Sequence, residues 1–145
     1  MRRLVAGCVV FWFVSGTAFG DLSAVKAEPN LQKRSKKALE NAEVVLARAK
    51  DEYRSNEFDK SRAALEEVAV SVDLAYDSLK QTGKTPAKSP GQFKYAETKT
   101  RTLLRQLEDF RHEMDTTDHA LLDKVKAAVQ KVHDELLLGI LERKK

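Results

Sequence analysis

From Leu31 almost to the end of the chain, apolar residues recur every three or four positions, the spacing that gathers side chains on one face of an α-helix. Leu31, Ala38, Leu39, Ala42, Val45, Leu46, Ala49 and Tyr53 form a first stripe. Phe58, Leu65, Val68, Ala69, Val72, Ala75, Tyr76 and Leu79 form a second. The third is the most regular, with Phe93, Ala96, Thr100, Leu103, Leu107, Phe110 and Met114 alternating by threes and fours. Leu121, Leu122, Val125, Ala128, Val129, Val132, Leu136 and Ile140 complete a fourth. No segment alternates with period two. The pattern therefore predicts helices at 31–54, 57–81, 90–114 and 117–142, and no strand.

The interruptions have their own chemistry. Residues 55–59 are expected to end one helix and start the next, with the Asn56 side chain capping exposed amides. The stretch 82–91 holds Gly83, Gly91, Pro86 and Pro90, and no helix continues through it. Its end, Ser89-Pro90-Gly91-Gln92, reads as a capping box with a hydroxyl at the cap, proline at the first helical position and glutamine at the third. Asp115-Thr116-Thr117-Asp118 supplies a cap and negative charge to the last helix N-terminus. Short connections return the chain on itself. The predicted fold is all-α, an antiparallel up-down-up-down four-helix bundle of two helical hairpins over 31–143, with helices about 36 Å long.

The first residues follow a different pattern. Met1-Arg2-Arg3 is basic, Leu4 to Val14 is small or apolar without charge, and Ala18-Phe19-Gly20 precedes Asp21. That order is the layout of a secretory signal peptide at 1–20, cleaved before Asp21. The run is too short for an ordinary spanning helix, which needs about 20 apolar residues. Val5-Ala6-Gly7-Cys8 resembles a bacterial lipobox, but only Leu4 and Val5 separate it from the arginines, and the apolar 9–14 run would follow the lipid. Arg2-Arg3 hints at twin-arginine export but lacks the longer polar context of that route. Residues 21–30, with Pro29 and no periodicity, are expected to be a flexible lead-in.

Export changes what composition means. Cys8 and Trp12, the only cysteine and tryptophan, leave with the signal, so the mature chain has no disulfide and no thiol chemistry. No glycosylation sequon occurs at Asn30, Asn41 or Asn56, and small secreted animal proteins usually carry disulfides. A periplasmic or secreted bacterial protein is expected. The chain has 26 basic and 22 acidic residues; without Arg2 and Arg3 there are 24 basic, and the formal charge falls from +4 to +2. That near balance argues against nucleic-acid binding despite a pI near 9.2. The basic ends, 26–37 and 143–145, leave weak contact with an anionic membrane surface or wall polymer as an expectation.

Candidate sites are few. Gly83-Lys84-Thr85 resembles the tail of a phosphate-binding loop, but Ser78 stands where that motif needs its first glycine, and a helix leads in where a strand is required. His112, Asp115, Asp118 and His119 gather around one turn, with Glu113 and Asp123 beside them, as candidate metal ligands; no Glu-x-x-His or His-Glu-x-x-His pattern supports them. An exported four-helix bundle also resembles the soluble b-type cytochromes in architecture, which implies an axial methionine early in the first helix and a histidine late in the fourth. His133 lies in the fourth helix, whereas the first has no methionine and Met114 closes the third. No cofactor is expected. Residues Ala42, Ala49, Tyr53, Phe58 and Ala64 resemble the pattern of one tetratricopeptide-repeat hairpin, which implies peptide binding or scaffolding.

The most unusual segment is 136–141, Leu-Leu-Leu-Gly-Ile-Leu. Six uncharged residues circle the helix where one stripe would satisfy a core. A core that takes Leu136 and Ile140 leaves one of Leu137 and Leu138 near the rim. Leu137, Leu138 and Leu141 are therefore candidates for contact with an unknown protein partner or a second copy. No nucleophile-base pair or paired carboxylates can be placed on one face, so no enzyme is expected. The expected function is a non-enzymatic interaction or scaffolding module of the bacterial envelope. The alternative is a small-ligand, haem or metal carrier using the bundle interior or the 112–123 turn.

Overall fold

The computed structural model describes residues 22–142; the expected signal peptide, with Cys8, Trp12 and the cut before Asp21, lies outside them, as do residues 143–145. All described elements are helical. They are α1 (Leu22–Ala27), α2 (Leu31–Arg54), α3 (Phe58–Gln81), α4 (Pro90–Glu113) and α5 (His119–Glu142), with a 3-10 turn at Thr116–Asp118 ahead of α5. No strand occurs among the described residues, and no described helix is long and apolar enough to cross a membrane.

Helix ends follow local chemistry, in three places not the chemistry expected. Asn30 caps α2, its Oδ1 accepting the Lys33 amide at 3.0 Å. Asn56 does not cap α3. It sits in the left-handed region at φ 60°, just past the end of α2, where the Asn56 amide donates to the Tyr53 carbonyl and the Glu57 amide to the Glu52 carbonyl. This closes α2 as a Schellman motif, and asparagine is among the residues that tolerate that conformation. The capping box at 89–92 is not made either. The Ser89 side chain makes no cap bond, and the Gln92 Oε1 is buried without a partner. What starts α4 is Pro90 at its first turn, with the Ser89 carbonyl accepting the Gln92 amide. Asp115 caps the 3-10 turn ahead of α5 and not α5 itself, accepting the Thr117 amide at 3.0 Å.

Cross-helix bonds give the packing. Asn41 donates to Ser71 and Ser61 to the Ala49 carbonyl, so α2 and α3 run antiparallel. Arg111–Asp123 and Thr100–His133 show the same for α4 and α5. Glu43–Lys99 and Arg54–Glu113 set α2 parallel to α4, while Arg62–Asp118 and Tyr76–Glu135 set α3 parallel to α5. Around the core the order is α2, α3, α5, α4, with α3 and α4 diagonal to each other. The most intimate contact is between α2 and α3. Its seam explains why: Ala38, Ala42 and Ala49 face Ser61, Ala64, Ser71, Ala75 and Ser78, all buried and small enough for a close approach of two backbones.

The core takes Leu39, Leu46, Leu65, Val68, Leu103, Leu107, Phe110, Leu122, Val129 and Leu136, each at most 1 % exposed. The flexible lead-in expected at 21–30 is instead a helix over Leu22–Ala27, because Val25 reaches the same core and Glu28 ties its end to α2 through Lys37 and Arg34. One apolar residue and one ion pair are too little to show as periodicity.

Candidate functional site

The last two turns of α5 separate inward from outward leucines. Leu136 is 1 % exposed and continues the buried line Leu122, Val125, Val129 and Val132. Helical residues are set about 100° apart, so the next two positions rotate away from that line. Leu137 is 38 % exposed, Leu138 59 % and Leu141 49 %. Ile140 is half-buried against the core. Both Leu137 and Leu138 therefore face outward, where the stripe alone predicts one of them at the rim.

Two features confine this face. On one side Gly139 lies against the 82–89 connection, so close that a Cβ there would stand 3.2 Å from Pro86 Cγ. An added Cβ there would make Pro86 give way by a few tenths of an ångström. Further back along α5, Gln130 donates to Asp134 at 2.7 Å, a polar pair at the edge of the apolar face. Leu137 and Leu141 stand one turn apart, and Leu138 and Leu141 are three apart, so the three form one continuous surface. Large apolar side chains grouped in this way are the usual mark of a contact surface.

The metal candidates do not converge. Asp118 accepts from the Tyr53 hydroxyl at 3.2 Å and from Arg62 at 3.0 Å; Asp115 is used by the Thr117 amide. His119 Nε2 lies 3.2 Å from the Met114 carbonyl, and exposed His112 leans toward Glu108. Among the described residues no group of three or more His, Cys, Asp or Glu side chains is arranged to hold a metal ion. Asp115 is held below its ordinary value by its bonds to the Thr117 amide and hydroxyl, which marks it as a cap.

For haem, the distance between the candidate ligands decides. His133 faces Thr100, its Nδ1 3.1 Å from the hydroxyl, and its Nε2 is 4.0 Å from Glu97. Met114 lies at the end of the same helix as Thr100, fourteen residues further on and so about 21 Å away at 1.5 Å per residue. The two side chains cannot serve one iron.

A cluster that the periodicity does not reveal closes the other end of the molecule. Tyr53 packs edge-on against Phe58 and Phe110, with ring centres 5.1 and 5.6 Å away, and its hydroxyl accepts the Asp115 amide while donating to Asp118. Arg54 forks onto Glu113 beside it. Spacing marks Tyr53 as core, but it carries no signal of partners sixty residues away. Compared with protein families, with curated proteins and with solved structures, the chain matches none.

Proposed function

We propose that the chain is an exported, non-enzymatic helical module that works by binding protein, with Leu137, Leu138 and Leu141 as its contact face. The up-down-up-down bundle, two helical hairpins laid side by side, is in this reading a rigid support for that face. The single observation that carries the reading is the outward exposure of three leucines on adjacent turns of α5. Burying even part of such side chains yields about 25 cal/mol per Å² of apolar surface. Their cost in solubility is unexplained by the fold, because Leu136 already completes the core stripe.

Light scattering together with thermal melts of Leu137→Lys and Leu138→Lys tests the reading. Both variants should keep the melting temperature of the parent and lose its self-association or partner capture. If they unfold, the leucines are part of the packed body; if they stay folded and associate as before, the leucines are not the contact face; either result overturns the reading. Export rests on the 1–20 pattern alone. The intact mass of the protein recovered from outside the cytoplasm should begin at Asp21; a mass that retains Trp12, or a diacylated Cys8, contradicts it.

A further inference from the structure

The parallel course of α2 and α4 brings two helix N-termini side by side, and a groove of about 250 Å³ opens between them and the end of α3. Neither first turn contains an acidic residue; the Glu28 carboxylate accepts the Asn30 amide at the α2 end at 3.2 Å, while at the α4 end no carboxylate takes a first-turn amide among the described residues. Lys33 and Lys36 line the groove, and both are exposed. Lys33 has no ion pair among the described residues; Lys36 is held loosely, by Glu40 at 3.8 Å and with its ammonium 5.9 Å from the centre of the Tyr95 ring. The nearby Lys37 and Arg34 are committed to Glu28. The Gly91 amide, in the first turn of α4, has no partner within its helix.

A second observation is independent of the helix ends. Ser35 lines the same groove at 5 % exposure, and its hydroxyl makes no hydrogen bond among the described residues. Buried polar groups are seldom left unpaired, because such a group has given up its hydrogen bonds to water. The remaining wall is apolar, formed by Leu79 and the Tyr95 ring.

We propose that this groove binds a small phosphate monoester with a short apolar body. Lys33, Lys36 and the Gly91 amide would hold the charged oxygens. The Ser35 hydroxyl would donate to another, and a phosphate dianion gains more from the two ammonium groups than a singly charged carboxylate does. Leu79 and Tyr95 would cover the apolar part. Such a headgroup can come from a free alkyl phosphate or from an anionic phospholipid.

Calorimetric titration of the full chain with hexyl phosphate, inorganic phosphate and hexanoate at low ionic strength tests the proposal. Hexyl phosphate should bind more tightly than either of the others. The pair Lys33→Glu and Lys36→Glu should weaken it about tenfold or more, about 1.4 kcal/mol. Ser35→Ala should also weaken it, while Lys60→Glu at the opposite end should not. Helical content by circular dichroism confirms that each variant is folded. Absent binding, equal binding of hexanoate, or equal losses in the Lys60→Glu control overturn the proposal. Sedimentation with phosphatidylglycerol vesicles separates the sources. Capture that the paired lysine variant abolishes assigns a lipid headgroup, and binding confined to soluble hexyl phosphate assigns a free ligand.

Discussion

Leu107 lies in the C-terminal half of α4 and is fully buried, while Arg105, two residues earlier, points to solvent. The difference is purely one of rotation, since two residues turn the helix by about 200°. Leu107→Ala should cost roughly 2–5 kcal/mol, from lost burial and the cavity left behind. Arg105→Ala should stay within about 0.5 kcal/mol. Urea melts showing equal losses would contradict the placement of α4. This rotation is legible in the sequence, because the stripe from Phe93 to Met114 never breaks its alternation by threes and fours. Side-chain commitments are less so. Gln92 fits a capping box by position, yet Ser89 makes no cap bond to complete it. Asn56 is a good cap by type, but Ser55 already ends α2, and the next residue must take the left-handed conformation that reverses the chain.

Elements join through seams of unlike character. The α2–α3 seam is lined with small residues and holds a buried polar pair, Asn41 with Ser71. Between α4 and α5 the rim is ionic: Glu108 pairs with Lys126 and Arg111 with Asp123. The Lys126 ammonium holds the Glu108 carboxyl below its ordinary 4.5, and the Arg111 guanidinium holds Asp123 below 3.8. A carboxylate with a lowered pKa contributes stability that is complete above its unfolded value and lost as pH falls through the folded one. The melting temperature should therefore be flat from neutrality down toward 4.5 and decline below it. Glu108→Gln should reduce that decline, and both Glu108 and Lys126 are partly exposed, so the effect should shrink in high salt. An unchanged acid slope in Glu108→Gln would mean the pair adds nothing to folding. Helix existence and length can be read from periodicity and from Pro90 and Gly83, but the diagonal of α3 and α4 cannot. An eight-residue connection permits either neighbour order, and only the partners across the core choose.

At the scale of the molecule, the packed body and its outward leucines have separate origins. Every core position of the four long helices is accounted for by one stripe on each, and the tie from Tyr53 to Asp115 and Asp118 clamps one end. The 136–141 run stands out in the sequence itself as apolar surface in excess of one stripe. Which leucines face out does not, because the 82–89 connection, folded against Gly139, covers a side of α5 that the pattern leaves open. Thiol accessibility reads that division directly. In a Cys8→Ser background, Leu138→Cys and Leu136→Cys each place one thiol on α5, and their maleimide reaction rates can be compared in the folded protein. The account predicts that the thiol at 138 reacts at the rate of an exposed model thiol at low protein concentration and slows as unlabelled parent or captured partner is added. The thiol at 136 should stay protected until the helices unfold. Equal protection at both positions in the dilute protein, or a rate at 138 that never changes under associating conditions, would contradict an outward face built for contact.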